Sequence, residues 1–134
     1  MTRDGIQLIV VDAANVVGSR PDGWWRDRAG AARRLLTKLT SLQECLEQPS
    51  DVVVALEGAA KSAVAEGTDP DGLRVVLADG SGDDAIVDVV AAAVAADNSR
   101  SITVVTADRG LRDRVEELGA VTVGPRWLLD RIES

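Results

Sequence analysis

Runs of apolar residues recur along the chain, and five of them have the length of a β-strand. They occupy residues 7–11, 51–57, 73–77, 101–106 and 120–123. Most of these runs contain consecutive apolar residues instead of a strict alternation with polar ones, which is typical of strands buried on both faces of a parallel sheet.

Helical patterns separate most of these strands. Residues 25–46, 83–96 and 109–118 carry apolar side chains three and four positions apart, and Pro125 begins a closing helix. Strands that alternate with helices predict an α/β fold, with a mainly parallel sheet of about five strands and helices on both faces. No repeat or linker interrupts the pattern, so residues 1–134 are expected to form one domain.

Polar side chains follow four of the predicted strands. They are Asp12 and Asn15 after the first, Glu57 at the end of the second, Asp83 and Asp84 in the helix after the third, and Thr106, Asp108 and Arg109 after the fourth. The binding crevice of an open parallel sheet lies beyond the carboxyl ends of its strands. Carboxylates gathered there repel one another unless cations neutralise them, and Mg²⁺ and Mn²⁺ prefer such oxygen ligands.

Several of these acids also have a purely structural interpretation. Asp84 and Asp108 each stand where an acidic residue caps or begins a helix, and Glu57 fits a solvated strand end. Asp83 lies on the side of its helix that carries the apolar residues, where a carboxylate needs a partner. Asp12 is the hardest to explain structurally, because no helix is expected to begin directly after it.

The amino-acid composition excludes several kinds of catalytic and metal-binding site. The chain has no histidine and a single cysteine, Cys45, which excludes Ser-His-Asp catalysis, an internal disulfide and zinc sites built from His and Cys. The formal net charge of −7 opposes strong binding of nucleic acid, but the basic residues are nearly all arginines and several cluster along the chain. Trp24 and Trp25 adjoin one such cluster, and they fit either a base-stacking surface or core packing.

The strand-end residues together resemble a known family. Residues 10–17 (VVDAANVV) resemble the opening DG-x-N strand of the NYN domain, a branch of the PIN-like nuclease superfamily. Later segments agree in order: LEG at 56–58, the Asp83–Asp84 pair, and TADR at 106–109. One departure is Ala13, which stands where that family usually has glycine.

The resemblance implies a three-layer α/β/α fold and cleavage of RNA that depends on Mg²⁺ or Mn²⁺. The positions that match the acidic metal-binding residues of the family are Asp12, Asp83, Asp84 and Asp108, with Glu57 at a less uniform acidic position. Asn15 matches the polar partner of the first acid. In this interpretation Thr106 orients the attacking water, and Arg109 or Arg20 holds the scissile phosphate.

Other functions compete with this one. A non-catalytic RNA-binding module on the same fold is the main alternative. A receiver-type phosphoacceptor domain needs a lysine at a late strand end, but Lys38 and Lys61 lie elsewhere, and no glycine-rich phosphate-binding motif follows the first strand. The sequence shows no signal peptide and no apolar run of membrane-spanning length, so a cytoplasmic protein is expected. A homodimer is a further expectation.

Overall fold

The computed structural model describes residues 7–18, 28–39, 50–56, 73–77, 82–96 and 101–132. Its strands are β1 (Gln7–Asp12), β2 (Ser50–Leu56), β3 (Leu73–Leu77), β4 (Ile102–Val105) and β5 (Val121–Val123). They form one five-stranded sheet in the order β3-β2-β1-β4-β5, and every pairing between neighbouring strands is parallel.

Strand β1 lies at the centre of the sheet. Val10 pairs with Val53 of β2 on one side and with Val104 of β4 on the other, and all three side chains are buried. From β1 the chain adds β2 and β3 on one side, then crosses back to add β4 and β5 on the other. The carboxyl ends of β1 and β4 therefore flank the point at which strand order reverses, which is where ligands bind in open α/β sheets.

Helices cover both faces of the sheet. The described helices are α1 (Ala13–Gly18), α2 (Arg28–Leu39), α3 (Gly82–Ala96), α4 (Arg109–Glu117) and α5 (Pro125–Ile132). On one face, the buried side chains of α1, α2 and α5 pack with those of β1 and β2. On the other face, α3 and α4 contribute Ile86, Val90, Leu111 and Val115 to a second core. The predicted three-layer α/β/α architecture with a parallel sheet is confirmed.

The observed helices differ from the predicted ones at the start of α1 and at the end of α4. Helix α1 begins at Ala13, directly after β1, where no helix was expected. It has six residues, too few for a helical period to stand out in the sequence. Helix α4 ends at Glu117, one residue earlier than predicted, and Gly119 follows with a φ of 102°. The predicted extensions of α2 to residues 25 and 46 lie outside the described residues.

None of the helices in the described ranges combines the length and the apolar character that crossing a bilayer requires.

Candidate functional site

Asp12 closes the central strand and is buried, with 7% of its surface exposed. The hydroxyl of Thr106 donates to Asp12 Oδ2 at 3.0 Å, and the backbone N–H of Asn15 donates to Oδ1 at 3.4 Å. The second contact joins the residue before α1 to the third residue of that helix, which is the geometry of an N-cap. The expectation that Asp12 has no capping use was therefore wrong, because α1 begins immediately after it.

Thr106 is fully buried and sits one residue beyond β4. The β1–β4 register, in which Val11 pairs with Val105, continues to Asp12 and Thr106, so their side chains meet on one face of the sheet. The Thr106 hydroxyl also accepts a hydrogen bond from the backbone N–H of Asp108 at 3.1 Å. This one hydroxyl therefore connects the end of β1 to the start of α4.

Asn15 fixes the same turn from the opposite side. Its side-chain Oδ1 accepts from the backbone N–H of Ala107 at 2.8 Å, a contact between residues 92 positions apart. Asn15 therefore restrains the backbone that follows β4 through its side-chain amide. Its part in substrate binding stays a prediction.

Asp108 is the N-cap of α4. Its backbone is extended, with φ −69° and ψ 115°, and its Oδ1 accepts from the backbone N–H of Leu111 at 3.1 Å. The capping interpretation is thus confirmed, and the side chain is exposed beside the turn that carries Thr106. A cap of this kind does not need the negative charge, because asparagine caps about as well as aspartate.

Asp83 and Asp84 both lie in the first turn of α3, but their side chains differ in exposure. Asp83 is half-buried and, by helical spacing, shares a face with the buried Ile86 and Val90. Asp84 is 69% exposed and pairs with Arg114 of α4, with Oδ1 3.1 Å from Nη1. Asp84 thus pairs with an arginine of the neighbouring helix, and Asp83 is the member of the pair that lies on the core side.

The donor chemistry of these residues fits a hard divalent cation, since every candidate ligand offers oxygen. Within the described ranges, however, no three side chains of His, Cys, Asp or Glu come together as a group that could hold a metal ion. Glu57 and Arg20, two of the predicted site residues, lie outside those ranges. Metal binding therefore stays a prediction.

Arg112 belongs to this region, although the sequence did not single it out. Its Nε donates to the backbone carbonyl of Thr106 at 2.9 Å, and its side chain is half-buried. The predicted phosphate ligand Arg109 is exposed in the first turn of the same helix. Only the clustering of arginines pointed towards Arg112, since a contact to a carbonyl six residues earlier has no sequence signature.

The arrangement of this sheet is shared with solved structures. Two crystal structures of Rae1 (YacP) from Bacillus subtilis, one of them a tryptophan-to-leucine mutant, resemble it closely. The mutant superimposes with a TM-score of 0.76 at 20% sequence identity, covering 96% of this chain and 76% of that one. The other gives a TM-score of 0.72 at 18% identity, covering 96% and 74%.

The fold is PIN-like. At these identities the likeness extends to the fold alone. No protein-family model and no curated protein sequence matches the chain. Membership of the NYN branch therefore stays a prediction.

Proposed function

We propose that this protein is a metal-dependent ribonuclease whose active site is built around Asp12. The observation that carries the proposal is the position of this carboxylate. It is buried at the carboxyl end of the central strand, beside the point at which strand order reverses, and Thr106 from the neighbouring strand donates to it. Ligand sites of open α/β sheets concentrate at this point.

The proposed cation ligands are acids at the carboxyl edge of the sheet, and in the described ranges their carboxylates are not already gathered into a group of three. Asp12 would hold the cation with Asp83 and Asp108, which begin or cap the two helices on the same face of the sheet. Asp84 is less well supported as a ligand, because it would have to leave Arg114. Glu57, which follows β2 in the sequence and lies outside the described residues, is the remaining proposed ligand. When bound, Mg²⁺ or Mn²⁺ would lower the pKa of a coordinated water enough to yield hydroxide near neutral pH.

The chain itself would position the reactants. Thr106 is held by bonds from Asp108 and to Asp12, so its hydroxyl is fixed at the edge where water would attack. Asn15 restrains the adjoining backbone through Ala107. Arg109, exposed one residue after the cap, and Arg20 are proposed to hold the scissile phosphate, as charge-assisted bonds from arginine suit phosphate oxygens.

Cleavage of end-labelled single-stranded RNA tests the proposal. Wild-type protein is assayed with Mn²⁺, with Mg²⁺ and with EDTA, alongside Asp12→Asn and the matched control Asp88→Asn, which neutralises an exposed aspartate on α3. We expect metal-dependent cutting in the wild type and in Asp88→Asn, and none in Asp12→Asn. Cleavage by Asp12→Asn at the wild-type rate would overturn the proposal.

A non-catalytic RNA-binding module is the second candidate. It is favoured by the structural partners of two of the proposed ligands, since Asp108 caps α4 and Asp84 pairs with Arg114. In this case folded wild-type protein would bind the labelled RNA in a gel-shift assay, would cut it with neither metal, and would bind it equally well after Asp12→Asn.

A further inference from the structure

Arg112 holds its guanidinium in a fixed place at the carboxyl edge of the sheet. Nε donates to the carbonyl of Thr106 at 2.9 Å, and Nη2 lies 3.7 Å from where a Cβ on Gly124 would stand. The guanidinium therefore lies between the turn that follows β4 and the turn that follows β5. Because the side chain is already fixed, less side-chain conformational entropy is lost when a ligand binds.

The outer nitrogens of this guanidinium are not engaged. Three of the other four arginines of α4 and α5 have acidic or carbonyl partners, and Arg109 is the exception: Arg114 pairs with Asp84, Arg126 with Asp130, and Arg131 donates to the carbonyl of Trp127. In the part of the chain that the structure describes, the Nη groups of Arg112 make neither a hydrogen bond nor an ion pair. A half-buried, pre-positioned guanidinium with two open N–H faces suits an oxyanion that it can bind through two parallel bonds.

We infer that Arg112 binds a phosphate of the RNA backbone that flanks the scissile one. This inference rests on the proposed function, because it takes RNA as the ligand and Asp12 as the centre of cleavage. The flanking position follows from the contacts of Thr106. Its hydroxyl donates to Asp12 and its carbonyl accepts from Arg112, so this one residue lies between the Asp12 carboxylate and the Arg112 guanidinium. Adjacent strands are about 4.8 Å apart, which places the guanidinium beside the site and not over Asp12.

A flanking phosphate contact has a distinctive kinetic result. It is made equally in the ground state and in the transition state, so its loss raises KM and leaves kcat nearly unchanged. A contact to the scissile phosphate would strengthen in the transition state, and its loss would lower kcat instead. This split separates a phosphate-binding role for Arg112 from a role that is merely structural.

The experiment measures binding of labelled single-stranded RNA to the full chain in EDTA, at several salt concentrations. All proteins carry Asp12→Asn, and Arg112→Gln is compared with Arg131→Gln. Arg131 is the control because it is also half-buried and donates to a backbone carbonyl, and it lies in the last turn of α5, where its guanidinium stacks on Trp127 at 4.1 Å. Steady-state cleavage by the corresponding variants with Asp12 intact supplies kcat and KM.

We expect Arg112→Gln to weaken binding about tenfold, as for the loss of one charge-assisted contact. The slope of log affinity against log salt should fall by about 0.7, the contribution of one phosphate contact to a single strand. KM should rise by a similar factor while kcat stays within about twofold. Arg131→Gln should leave the salt slope unchanged.

An unchanged salt slope in folded Arg112→Gln would overturn the inference, as would a loss confined to kcat. If Arg112→Gln fails to fold, Arg112→Lys takes its place, since lysine keeps the charge but cannot make two parallel bonds. Wild-type affinity in that variant would also overturn it. If Arg112→Gln weakens RNA binding but the wild type never cleaves, binding of an RNA phosphate by Arg112 stands, whereas its position beside a scissile phosphate and the nuclease proposal both fail. No RNA binding by the wild type overturns both.

Discussion

The hydroxyl of Thr106 offers the sharpest test of how the site is built. It donates to the buried carboxylate of Asp12 at 3.0 Å and accepts from the backbone N–H of Asp108 at 3.1 Å. Thr106→Val keeps the shape of the side chain and removes only these two contacts. Thr106→Ser is the complementary variant, because it keeps the hydroxyl and removes one methyl group.

The two variants should differ clearly in stability. A hydrogen bond to a charged group contributes about 1.5–3 kcal/mol, and leaving a partly buried N–H without its acceptor costs about 1 kcal/mol more. Thr106→Val should therefore lower the free energy of unfolding by about 2–4 kcal/mol. Removing one buried methyl group, as in Thr106→Ser, should cost only about 1 kcal/mol.

Urea unfolding followed by circular dichroism measures these differences, with free energies obtained by linear extrapolation. A double-mutant cycle with Asp12→Ala isolates the Asp12–Thr106 pair, for which we expect a coupling of about 1–3 kcal/mol. If Thr106→Val is no less stable than Thr106→Ser, the hydroxyl contributes no net stability. The account of Thr106 as the connection between β1 and α4 would then be refuted.

Four further variants, at three positions, test the assignment of neighbouring residues. Asp108→Ala should lower the free energy of unfolding by about 1 kcal/mol through loss of the cap, which urea unfolding measures. Asp108→Asn should keep the wild-type stability but abolish cleavage in the RNA assay, and cleavage at the wild-type rate would refute a role for this carboxylate. Gly119→Ala should cost about 1 kcal/mol or more on thermal unfolding, because a φ of 102° strains any side chain although a Cβ there would meet nothing within 4 Å; an unchanged Tm would refute this. Asp84→Asn should change stability by less than about 1 kcal/mol, since its pair with Arg114 is largely exposed, and a larger loss would show that the pair is structural.

The strands were predictable because a strand buried on both faces needs consecutive apolar residues, which are visible in the sequence. In β1 only the first residue, Gln7, is less than fully buried, and β4 is buried throughout. The closing helix was equally readable from Pro125, which the structure places at its first position. Each of these features depends on neighbouring residues, so a short window of sequence contains the information.

The contacts of the site were not predictable in this way, because they join distant parts of the chain. The bond from Ala107 to Asn15 spans 92 positions, and the one from Thr106 to Asp12 spans 94. The sequence indicated which acids reach the edge of the sheet, but not that Asp84 is drawn to Arg114 of another helix. Pairing across elements is fixed by packing, and the residue pattern within one element does not encode it.

Neither the N-cap bond of Asp12 nor its bond with Thr106 requires a negative charge. The two donors, the Thr106 hydroxyl and the Asn15 N–H, are neutral. An asparagine could accept from Asn15 through its oxygen and donate to Thr106 through its amide, and it caps helices about as well. Burying a carboxylate is more costly than burying an amide of the same shape. These two contacts therefore tolerate an amide, whereas binding a divalent cation requires the charge. The Asp12→Asn variant accordingly separates the structural role of Asp12 from its proposed role as a cation ligand.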